Sequence, residues 1–347
     1  MRMLRGMAAL ALAASLLPLS SSAPAQSGLS QPGFVAYLPQ LEAQARRAGV
    51  SQATIASVFP NLVFSSRTVE LDQAQPGGRP GSNANPPFAP YRARHVSPAL
   101  IAAGQRRYAA NLSRLQAIGR RYGVAPSVLV AIWGHETSYG AVTGNFDLLN
   151  SLASLAYDGR RRQLFSDEFV AALKMIDRGV PRYRLKGSWA GATGHPQFLP
   201  SVWLRLGVDG DGDGRSDIWR SEPDALASIA NYLNNAGWRS GVPWGVAVRV
   251  PPGLDRARLR NPMRAPRCPR VFERHSRWQT IGEWRRLGLV AQSGVWPRET
   301  EMASLIEPDG PGATAYLLTT NYRSILDYNC SNFYALSVGL LADAIAR

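Results

Sequence analysis

One glutamate follows a strongly apolar stretch of a predicted helix. In the segment IWGHETSYG (132–140), Glu136 comes one helical turn after Ile132 and Trp133, and Val128 and Leu129 lie a turn earlier. A carboxyl group beside an apolar helix face has two interpretations. Either Glu136 lies at the helix end and reaches water, or its apolar surroundings keep it protonated near neutral pH, so that it can act as a general acid.

A second group of carboxyl side chains lies in the segment DGDGDGRSDIW (209–219). Asp209, Asp211, Asp213 and Asp217 occupy loop positions one, three, five and nine, and Gly214 occupies position six. This is the spacing with which an EF-hand loop surrounds calcium with oxygen ligands. Four carboxylates so close together repel one another unless a cation is bound, so a calcium site is favoured over a solvated acidic turn.

The end of this loop departs from the EF-hand pattern. Arg215 at position seven offers only its backbone carbonyl, and Arg220 occupies position twelve, where an acid is expected. Asp224 could close a longer loop, and Glu222 is the other candidate.

The segment LKGSWAGATGHPQFLPS (185–201) is rich in small residues that let a ligand or another backbone approach closely. Ser188 and Gln197 are its polar groups that could reach into a groove. No phosphate-loop pattern is present, since no Gly-Lys-Ser/Thr follows. The four histidines have no metal-ligand spacing, and we interpret His135, next to Glu136, as structural.

The N-terminus has the pattern of a secretory signal. Arg2 and Arg5 precede a short apolar core, and cleavage after Ala25 fits the small residues of APA. No cysteine follows the cut, so we expect an exported, periplasmic protein without a lipid anchor or transmembrane segment. Loss of two arginines and no acids changes the net charge from +15 to +13. An exported basic protein suits an anionic cell wall better than nucleic acid.

The chain contains two cysteines, Cys268 and Cys330. In an oxidising compartment we expect them to form a disulfide, and the alternative is two separate buried thiols.

These residues must be positioned by a mainly α-helical fold of more than one lobe. Periodicity predicts helices within 31–62, a long helix from Pro98 to Tyr122 closed by Gly123, and a helix from Pro126 that carries Glu136. QAQPGGRPGSNANPPFAPYRARHVSP is expected to be a surface connection. The predicted segments are a helical lobe (about 26–125), a core with the calcium loop (about 126–241), a small β-containing insert (about 242–325) and a C-terminal helix (about 330–347) capped by Ser331 or Asn332.

Five motifs together resemble one known family. Glu-Thr-Ser-Tyr-Gly after an apolar helix, LKGSWAGATGHPQFLPS, the aspartate-rich loop, IANYLNNAGW and YNCSNFYALSVGLLAD occur in this order. The chain, from about residue 30 to its end, resembles the membrane-bound lytic transglycosylase B family in its soluble, exported form. The resemblance implies a lysozyme-like helical core and a peptidoglycan substrate.

The resemblance also implies roles for individual residues. Glu136 matches the catalytic acid. The matching substrate-binding residues are Ser188, Gln197, Tyr232, Tyr328, Asn329 and Tyr334, and the matching calcium ligands are Asp209, Asp211, Asp213, the Arg215 carbonyl and Asp224. Two features depart from the family: His195 and Pro196 replace an aromatic residue and glycine, and the loop before Asp224 is one residue longer.

The implied reaction cleaves the β-1,4 bond between N-acetylmuramic acid and N-acetylglucosamine and closes a 1,6-anhydro ring, with calcium as a structural ion and no organic cofactor. One carboxyl group then acts first as acid and afterwards as base, and it needs a raised pKa. Two alternatives stay open. One is a lysozyme-type hydrolase with Asp147 or Asp158 as a second carboxylate, and the other is a non-catalytic protein that binds the cell wall.

Overall fold

A computed structural model describes residues 28–75, 86–265 and 267–347. The predicted signal segment 1–25 and part of the predicted surface connection, residues 76–85, lie outside the described residues. Among the helices within the described ranges, none has the length and apolar character needed to cross a bilayer.

Helices dominate the described chain, so the prediction of a mainly α fold is confirmed. They begin at the N-terminus with α1 (Gln31–Arg47), α2 (Gln52–Val58), α3 (Ser66–Gln73), α4 (Phe88–His95), α5 (Pro98–Ala110), α6 (Leu112–Tyr122) and α7 (Pro126–Thr137). They continue with α8 (Leu148–Asp158), α9 (Arg162–Asp177), α10 (Pro200–Leu206), α11 (Glu222–Asn235), α12 (Pro269–Phe272), α13 (Ile281–Arg286), α14 (Thr320–Tyr328) and α15 (Asn332–Ile345).

Two apolar clusters hold the helices together. In the first, α7 packs against α15, with α5, α6, α11 and α14 around the pair. In the second, α8 and α9 pack against each other and are covered by α1, α2 and α10. Because α7 is buried along most of its length, its last turn is held on several sides. The division of the chain into lobes that the sequence suggested remains a prediction.

The predicted β-containing insert forms a small antiparallel sheet. Its strands are β3 (Gly245–Arg249), β4 (Gln279–Thr280), β5 (Val290–Ala291), β6 (Met302–Ile306) and β7 (Ala315–Leu318), after a separate pair of β1 (Phe146–Asp147) and β2 (Lys186–Gly187). The order in the sheet is β4-β6-β7-β3-β5. Trp284 and Ile281 from α13 fill a third, smaller apolar cluster against this sheet.

A disulfide joins the insert to the C-terminal region, as predicted. Cys268 and Cys330 are bonded, and their Cα atoms lie 5.7 Å apart, within the range that a disulfide requires. The bond spans 62 residues and connects the start of α12 to the short segment between α14 and α15.

The predicted long helix from Pro98 to Tyr122 is two helices, because the chain leaves helical geometry at Asn111. The Asn111 side chain donates a hydrogen bond to the carbonyl of Arg107 at 3.1 Å. An asparagine side chain that bonds the preceding turn competes with the helix ladder. The predicted end is correct: Gly123 adopts a left-handed conformation with φ of 73°.

The stretch predicted as a surface connection contains α4. Phe88 at its start is fully buried, and its backbone N–H donates to the Asp309 carboxylate at 2.6 Å. The prediction was wrong for this part, because prolines next to Phe88 hid the short apolar spacing of a helix. At the other end of the chain, Ser331 is the cap of α15, since its side chain accepts from the Tyr334 N–H.

Candidate active site

The sequence Glu-Thr-Ser-Tyr-Gly ends α7 abruptly. Ser138 and Tyr139 both have positive φ, 49° and 61°, which non-glycine residues rarely adopt. Packing compensates for this strain, because the Tyr139 ring is buried and its hydroxyl donates to the Leu100 carbonyl at 2.8 Å. Gly134 is required here, since a Cβ atom would lie 2.5 Å from that ring. The tight turn fixes the position of Glu136, two residues before it.

Glu136 is only partly exposed, and its carboxyl group is enclosed by neighbouring side chains. Burial raises the pKa of Glu136 from 4.5 to about 7, against the opposing effect of a hydrogen bond from Tyr334. Burial disfavours the charged carboxylate because low-polarity surroundings solvate it poorly. A carboxyl group with this pKa is protonated in a large share of molecules at neutral pH, which is the state that a general acid requires.

The closest polar partner of Glu136 comes from α15. The Tyr334 hydroxyl donates a hydrogen bond to Oε1 of Glu136 at 2.7 Å. Tyr334 is almost fully buried, and burial together with the Glu136 carboxylate raises the pKa of its hydroxyl. The phenol therefore stays protonated and remains a hydrogen-bond donor to Glu136 in either stage of a proton transfer.

Three tyrosines, Tyr232, Tyr328 and Tyr334, lead away from Glu136 and form what we call the tyrosine row. Tyr328 and Tyr334 are parallel with centroids 6.5 Å apart, and Tyr232 lies 4.7 Å from Tyr328. Phe198 extends the row at 5.7 Å from Tyr232. The structure thus brings together residues from four separate parts of the sequence. Only Tyr328 and Tyr334 are stacked, whereas the other pairs of the row are tilted.

The hydroxyl groups of the tyrosine row are not all directed at Glu136. Tyr328 donates to the Pro196 carbonyl at 2.5 Å, and Tyr232 donates to the Asp327 carbonyl at 2.8 Å. Asn329, also predicted to bind substrate, is exposed on the segment after α14.

Ser188 and Gln197 lie in the glycine-rich segment and hold its shape. Ser188 accepts from the Ala192 N–H at 3.0 Å. Gln197 has a positive φ of 49° and donates to the Thr143 carbonyl at 3.1 Å. Both side chains are partly exposed. The segment is tied to the catalytic helix by Thr137, whose hydroxyl donates to the His195 carbonyl at 3.1 Å.

Sequence reasoning missed one residue near Glu136. Tyr91 on α4 lies close enough that burial and the Glu136 charge both raise the pKa of its hydroxyl. Its ring stacks on His95, with centroids 3.9 Å apart. The available signal was the spacing of Phe88, Tyr91 and His95, which falls on one helix face within the proline-rich stretch.

His135 points away from Glu136, as predicted for a structural residue. Its Nε2 hydrogen bonds the Ser337 hydroxyl at 2.8 Å, and its ring packs edge-on against Tyr334 at 4.5 Å. Burial, and then the neighbouring His95, lower the pKa of His135 to about 3. A neutral His135 supports the position of Tyr334 without adding charge beside the carboxyl group.

The two candidates for a second catalytic carboxylate have other partners. Asp147 caps α8 by accepting from the Asn150 N–H at 2.9 Å, and it forms an ion pair with Arg182 at 2.7 Å. Asp158 accepts from the Gln73 amide at 2.9 Å. These contacts give both side chains a structural role. They are therefore evidence against a hydrolase that uses a second carboxylate beside Glu136.

In the aspartate-rich loop, three carboxylates converge. Asp209, Asp211 and Asp213 each offer an oxygen within 4.8 Å of the others. Backbone N–H groups orient them: Gly212 and Gly214 donate to Asp209 at 2.6 and 2.8 Å, and these bonds lower the pKa of Asp209. The donor set fits a hard cation such as calcium, which prefers carboxylate and carbonyl oxygens.

Asp217 is not part of this cluster, contrary to the prediction from its loop position. Its carboxylate pairs with Arg184 at 2.6 Å, a contact between distant parts of the sequence. Glu222 is also directed elsewhere, since it pairs with Arg107 at 2.8 Å. Asp224 is fully buried beside the loop, where it accepts from the N–H groups of Gly210 and Asp217 at 2.8 and 2.6 Å.

Comparison with known proteins shows the family to which the chain belongs. The model of the family described as Transglycosylase SLT domain matches residues 33–343. The chain belongs to this family. It is also 31% identical over 271 residues to the membrane-bound lytic murein transglycosylase B of Escherichia coli (strain K12), covering 77% of this chain and 70% of that protein. The resemblance found in the sequence is confirmed.

Solved structures of similar proteins share the architecture. SltB3 of Pseudomonas aeruginosa in complex with NAG-anhNAM-pentapeptide superposes with a TM-score of 0.80 at 37% identity, covering 90% of this chain and 79% of that one. The Escherichia coli lytic transglycosylase Slt35 in complex with calcium gives a TM-score of 0.71 at 27% identity, with coverage of 91% and 93%. The transglycosylase SLT domain fold therefore extends over nearly all of this chain.

Proposed function

We propose that this protein is a peptidoglycan lytic transglycosylase in which Glu136 acts first as acid and then as base. The observation that carries the proposal is the enclosed Glu136 carboxyl group, whose pKa is raised to about 7 by burial. The matched family and the relative from Escherichia coli support the reaction class and the substrate. The complex of SltB3 with an anhydro sugar supports the product class.

In the first step, protonated Glu136 donates its proton to the glycosidic oxygen between N-acetylmuramic acid and N-acetylglucosamine. The bond from the muramic acid C1 to this oxygen breaks, and the positive charge that develops at C1 is relieved by the N-acetyl group of the substrate itself. This is why a second protein carboxylate is unnecessary, and it agrees with the structural engagement of Asp147 by Arg182.

In the second step, Glu136 is ionised and accepts the proton of the C6 hydroxyl, while the C6 oxygen bonds to C1 and closes the 1,6-anhydro ring. The proton returns to Glu136, so the reaction consumes no water. The Tyr334 hydroxyl, 2.7 Å from Oε1, stabilises the carboxylate between the steps. The opposing effects of burial and of this bond place the pKa where both proton transfers are possible.

The remaining residues hold the glycan strand. We assign substrate contacts to the tyrosine row together with Ser188, Gln197 and Asn329, on the basis of their match to the family motifs and their position around Glu136. The exported, periplasmic location is part of the same proposal, since the polymer lies outside the cytoplasm.

A structural calcium ion completes the proposal. Asp209, Asp211, Asp213, the Arg215 carbonyl and Asp224 would hold it, and the ion would neutralise the clustered charge at the start of α11. The convergence of the three aspartates and the calcium complex of Slt35 support this assignment. Because α11 carries Tyr232 of the tyrosine row, the ion would stabilise the groove without taking part in the reaction.

Digestion of peptidoglycan in water enriched in oxygen-18 tests the proposal. We expect muropeptides that end in 1,6-anhydromuramic acid and carry no heavy oxygen at the new end. Reducing ends with one oxygen-18 would establish a hydrolase instead. Absence of soluble products would indicate a protein that only binds the cell wall.

A further inference from the structure

The tight turn after Glu136 needs support from outside its own residues. Ser138 and Tyr139 both have positive φ, and strained backbone of this kind persists only where the surrounding structure enforces it. The buried Tyr139 side chain supplies part of this support through its hydroxyl. A second contact comes from the glycine-rich segment, where His195 packs against the turn at Gly140.

The His195 ring contacts α7 and the turn together. It lies nearly parallel to the Trp133 ring, with 14° between the planes and 5.7 Å between the centroids. A Cβ atom on Gly140 would lie 2.7 Å from Cε1 of His195, so a larger residue there would displace the ring. The uncharged Thr137 joins the two segments, because its hydroxyl donates to the His195 carbonyl and accepts from the Gly140 N–H at 3.0 Å. Movement of His195 would therefore loosen the turn that fixes Glu136.

The surroundings of the ring favour neutral His195. Its Nδ1 atom is buried and has no hydrogen-bond partner among the residues that the structure describes. A neutral imidazole can leave Nδ1 without a proton, whereas an imidazolium carries an N–H group at both ring nitrogens. A buried N–H group without an acceptor is destabilising. Protonation should therefore displace the ring from its contacts with α7.

The charged groups that face His195 already neutralise one another. Glu222 from α11 pairs with Arg107 from α5 at 2.8 Å. Asp217, which precedes α11, pairs with Arg184 at 2.6 Å. Burial lowers the pKa of His195, and Arg107 acts in the same direction, against the opposing effects of Glu222 and Asp217. No group in this set therefore supplies the net negative charge that would keep an imidazolium in place.

We propose that His195 is a positioning residue for Glu136: its neutral ring holds the turn after α7 in place, and protonation of the ring releases that turn. Release would misplace the Glu136 carboxyl group relative to the scissile bond. A misplacement of about 1 Å can lower the rate roughly a hundredfold. The inference rests on the proposed function, because it assumes that Glu136 is the catalytic acid.

The proposal predicts a loss of activity on the acidic side of the pH profile. Because the pKa of His195 is lowered from its ordinary value of 6.5, the ring is neutral at pH 7 and gains its proton only below 6.5. We expect kcat to fall in that range by roughly tenfold per pH unit once the ring is protonated, with KM little changed. Glu136 acts in the opposite direction, since its own loss of a proton stops the first step at higher pH.

His195→Phe separates the packing of the ring from its titration. Phenylalanine keeps a flat ring against Trp133 and loses no hydrogen bond at Nδ1, but it cannot be protonated. We expect His195→Phe to keep the kcat of the wild-type protein at pH 7 and to lack the acidic fall.

His195→Ala removes the ring, so it should lower kcat at pH 7 roughly ten- to a hundredfold with little change in KM. His275→Gln is the control for loss of a histidine, because His275 lies in the insert and burial lowers its pKa to about 4. The acidic fall of this control should match that of the wild-type protein between pH 5 and pH 7.

The nitrogen-15 signal of the Gly140 amide reports on the turn without any catalysis. In the wild-type protein, we expect this signal and that of the His195 ring to titrate with one midpoint. In His195→Phe, the Gly140 signal should stay constant over the same range. The wild-type titration alone decides the matter if His195→Phe misfolds.

An acidic fall in kcat that persists in a folded His195→Phe variant would overturn the proposal, as would a Gly140 signal that does not follow His195. These results leave the proposed function untouched if the wild-type protein still forms anhydro products. If it forms none while the Gly140 signal follows His195, the proposed function fails and the effect of His195 on the turn is established.

Discussion

Glu136 and the cluster of Asp209, Asp211 and Asp213 contain the same functional group in opposite surroundings. The Glu136 carboxyl group is enclosed, and burial raises its pKa to about 7. Asp209 stands in an exposed loop, where N–H groups led by that of Gly214 lower its pKa. The first arrangement keeps a proton available for chemistry, and the second keeps negative charge available for a cation.

The two arrangements are also built differently. Neighbouring backbone groups orient the three aspartates, so the cluster depends on the consecutive residues 209–215. Glu136 depends on the burial of α7 and on Tyr334, which is 198 residues away in the chain. An environment made by neighbouring residues can be predicted from their spacing in the sequence. An environment made by residues far apart in the sequence is seen only in the folded structure.

The largest effect should follow from removing the Glu136 carboxyl group. We expect Glu136→Gln to lower the rate of peptidoglycan cleavage by roughly a thousand- to ten-thousand-fold, the upper part of the range for loss of a general acid, because the same group serves two steps. Glycan binding should persist. Release of anhydromuropeptides measures the rate. Asp147→Asn is the control, and this variant should release the same type of product as the wild-type protein. A Glu136→Gln variant that kept a tenth of the activity would contradict the single-carboxyl mechanism.

The buried Glu136 carboxyl group should also lower the free energy of unfolding at neutral and higher pH. Because its pKa is raised in the folded state, the folded protein holds the proton more tightly than the unfolded chain. Stability therefore falls as the pH rises from about 4.5 to about 7, and the shift is worth about 3 kcal/mol. Glu136→Gln should remove this loss, so its advantage in free energy of unfolding over the wild-type protein should be larger at pH 8 than at pH 4.5.

Denaturant unfolding at the two pH values measures this difference. Glu283→Gln is a matched control of opposite sign, because hydrogen bonds from Thr280 lower the pKa of Glu283. Its carboxylate adds stability above the unfolded pKa, and this is lost as the pH falls, so the variant should gain no advantage at pH 8. An advantage of Glu136→Gln that is independent of pH would show that the carboxyl group is not titrating in this window.

Calcium should stabilise the folded protein through the aspartate cluster, and the reaction products should be the same with and without calcium. A ligand that binds only the folded state adds about 2.7 kcal/mol at a hundredfold excess over its Kd. We expect calcium to raise the melting temperature of the wild-type protein and magnesium to substitute poorly, because magnesium demands a more rigid octahedral site. Asp213→Asn should abolish the response.

Asp255→Asn is the matched control for this experiment. Both aspartates are exposed and accept one backbone N–H a few residues later, from Arg215 and from Arg258, but only Asp213 belongs to the cluster. Equal melting temperatures of the wild-type protein with calcium, magnesium or chelator would rule out the calcium site.

The sequence predicted what short-range patterns determine. It located Glu136, the end of α6 at Gly123, the cap of α15 and the three converging aspartates. It failed where a specific contact of one side chain decided the outcome. Asp217 fitted the EF-hand spacing but pairs with Arg184, and Asn111 interrupts a regular helical pattern through its own side chain.

Tyr91 shows the same limit at the active site. The spacing of Phe88, Tyr91 and His95 indicates a helix face, but it does not indicate that α4 packs beside α15 and brings the Tyr91 ring close to Glu136. The cysteine pair and the link that it makes between the insert and the start of α15 were both predictable, because they follow from the number of cysteines and from their positions in the sequence.

Direct titration of the Glu136 carboxyl group tests the central claim. In protein labelled with carbon-13 at glutamate carboxyl groups, the spectrum of the wild-type protein minus that of Glu136→Gln isolates this one group. We predict a pKa of about 7, and Tyr334→Phe should raise it further, because the lost hydrogen bond favours the carboxylate. A difference signal that titrates near 4.5, with no effect of Tyr334→Phe, would contradict the account.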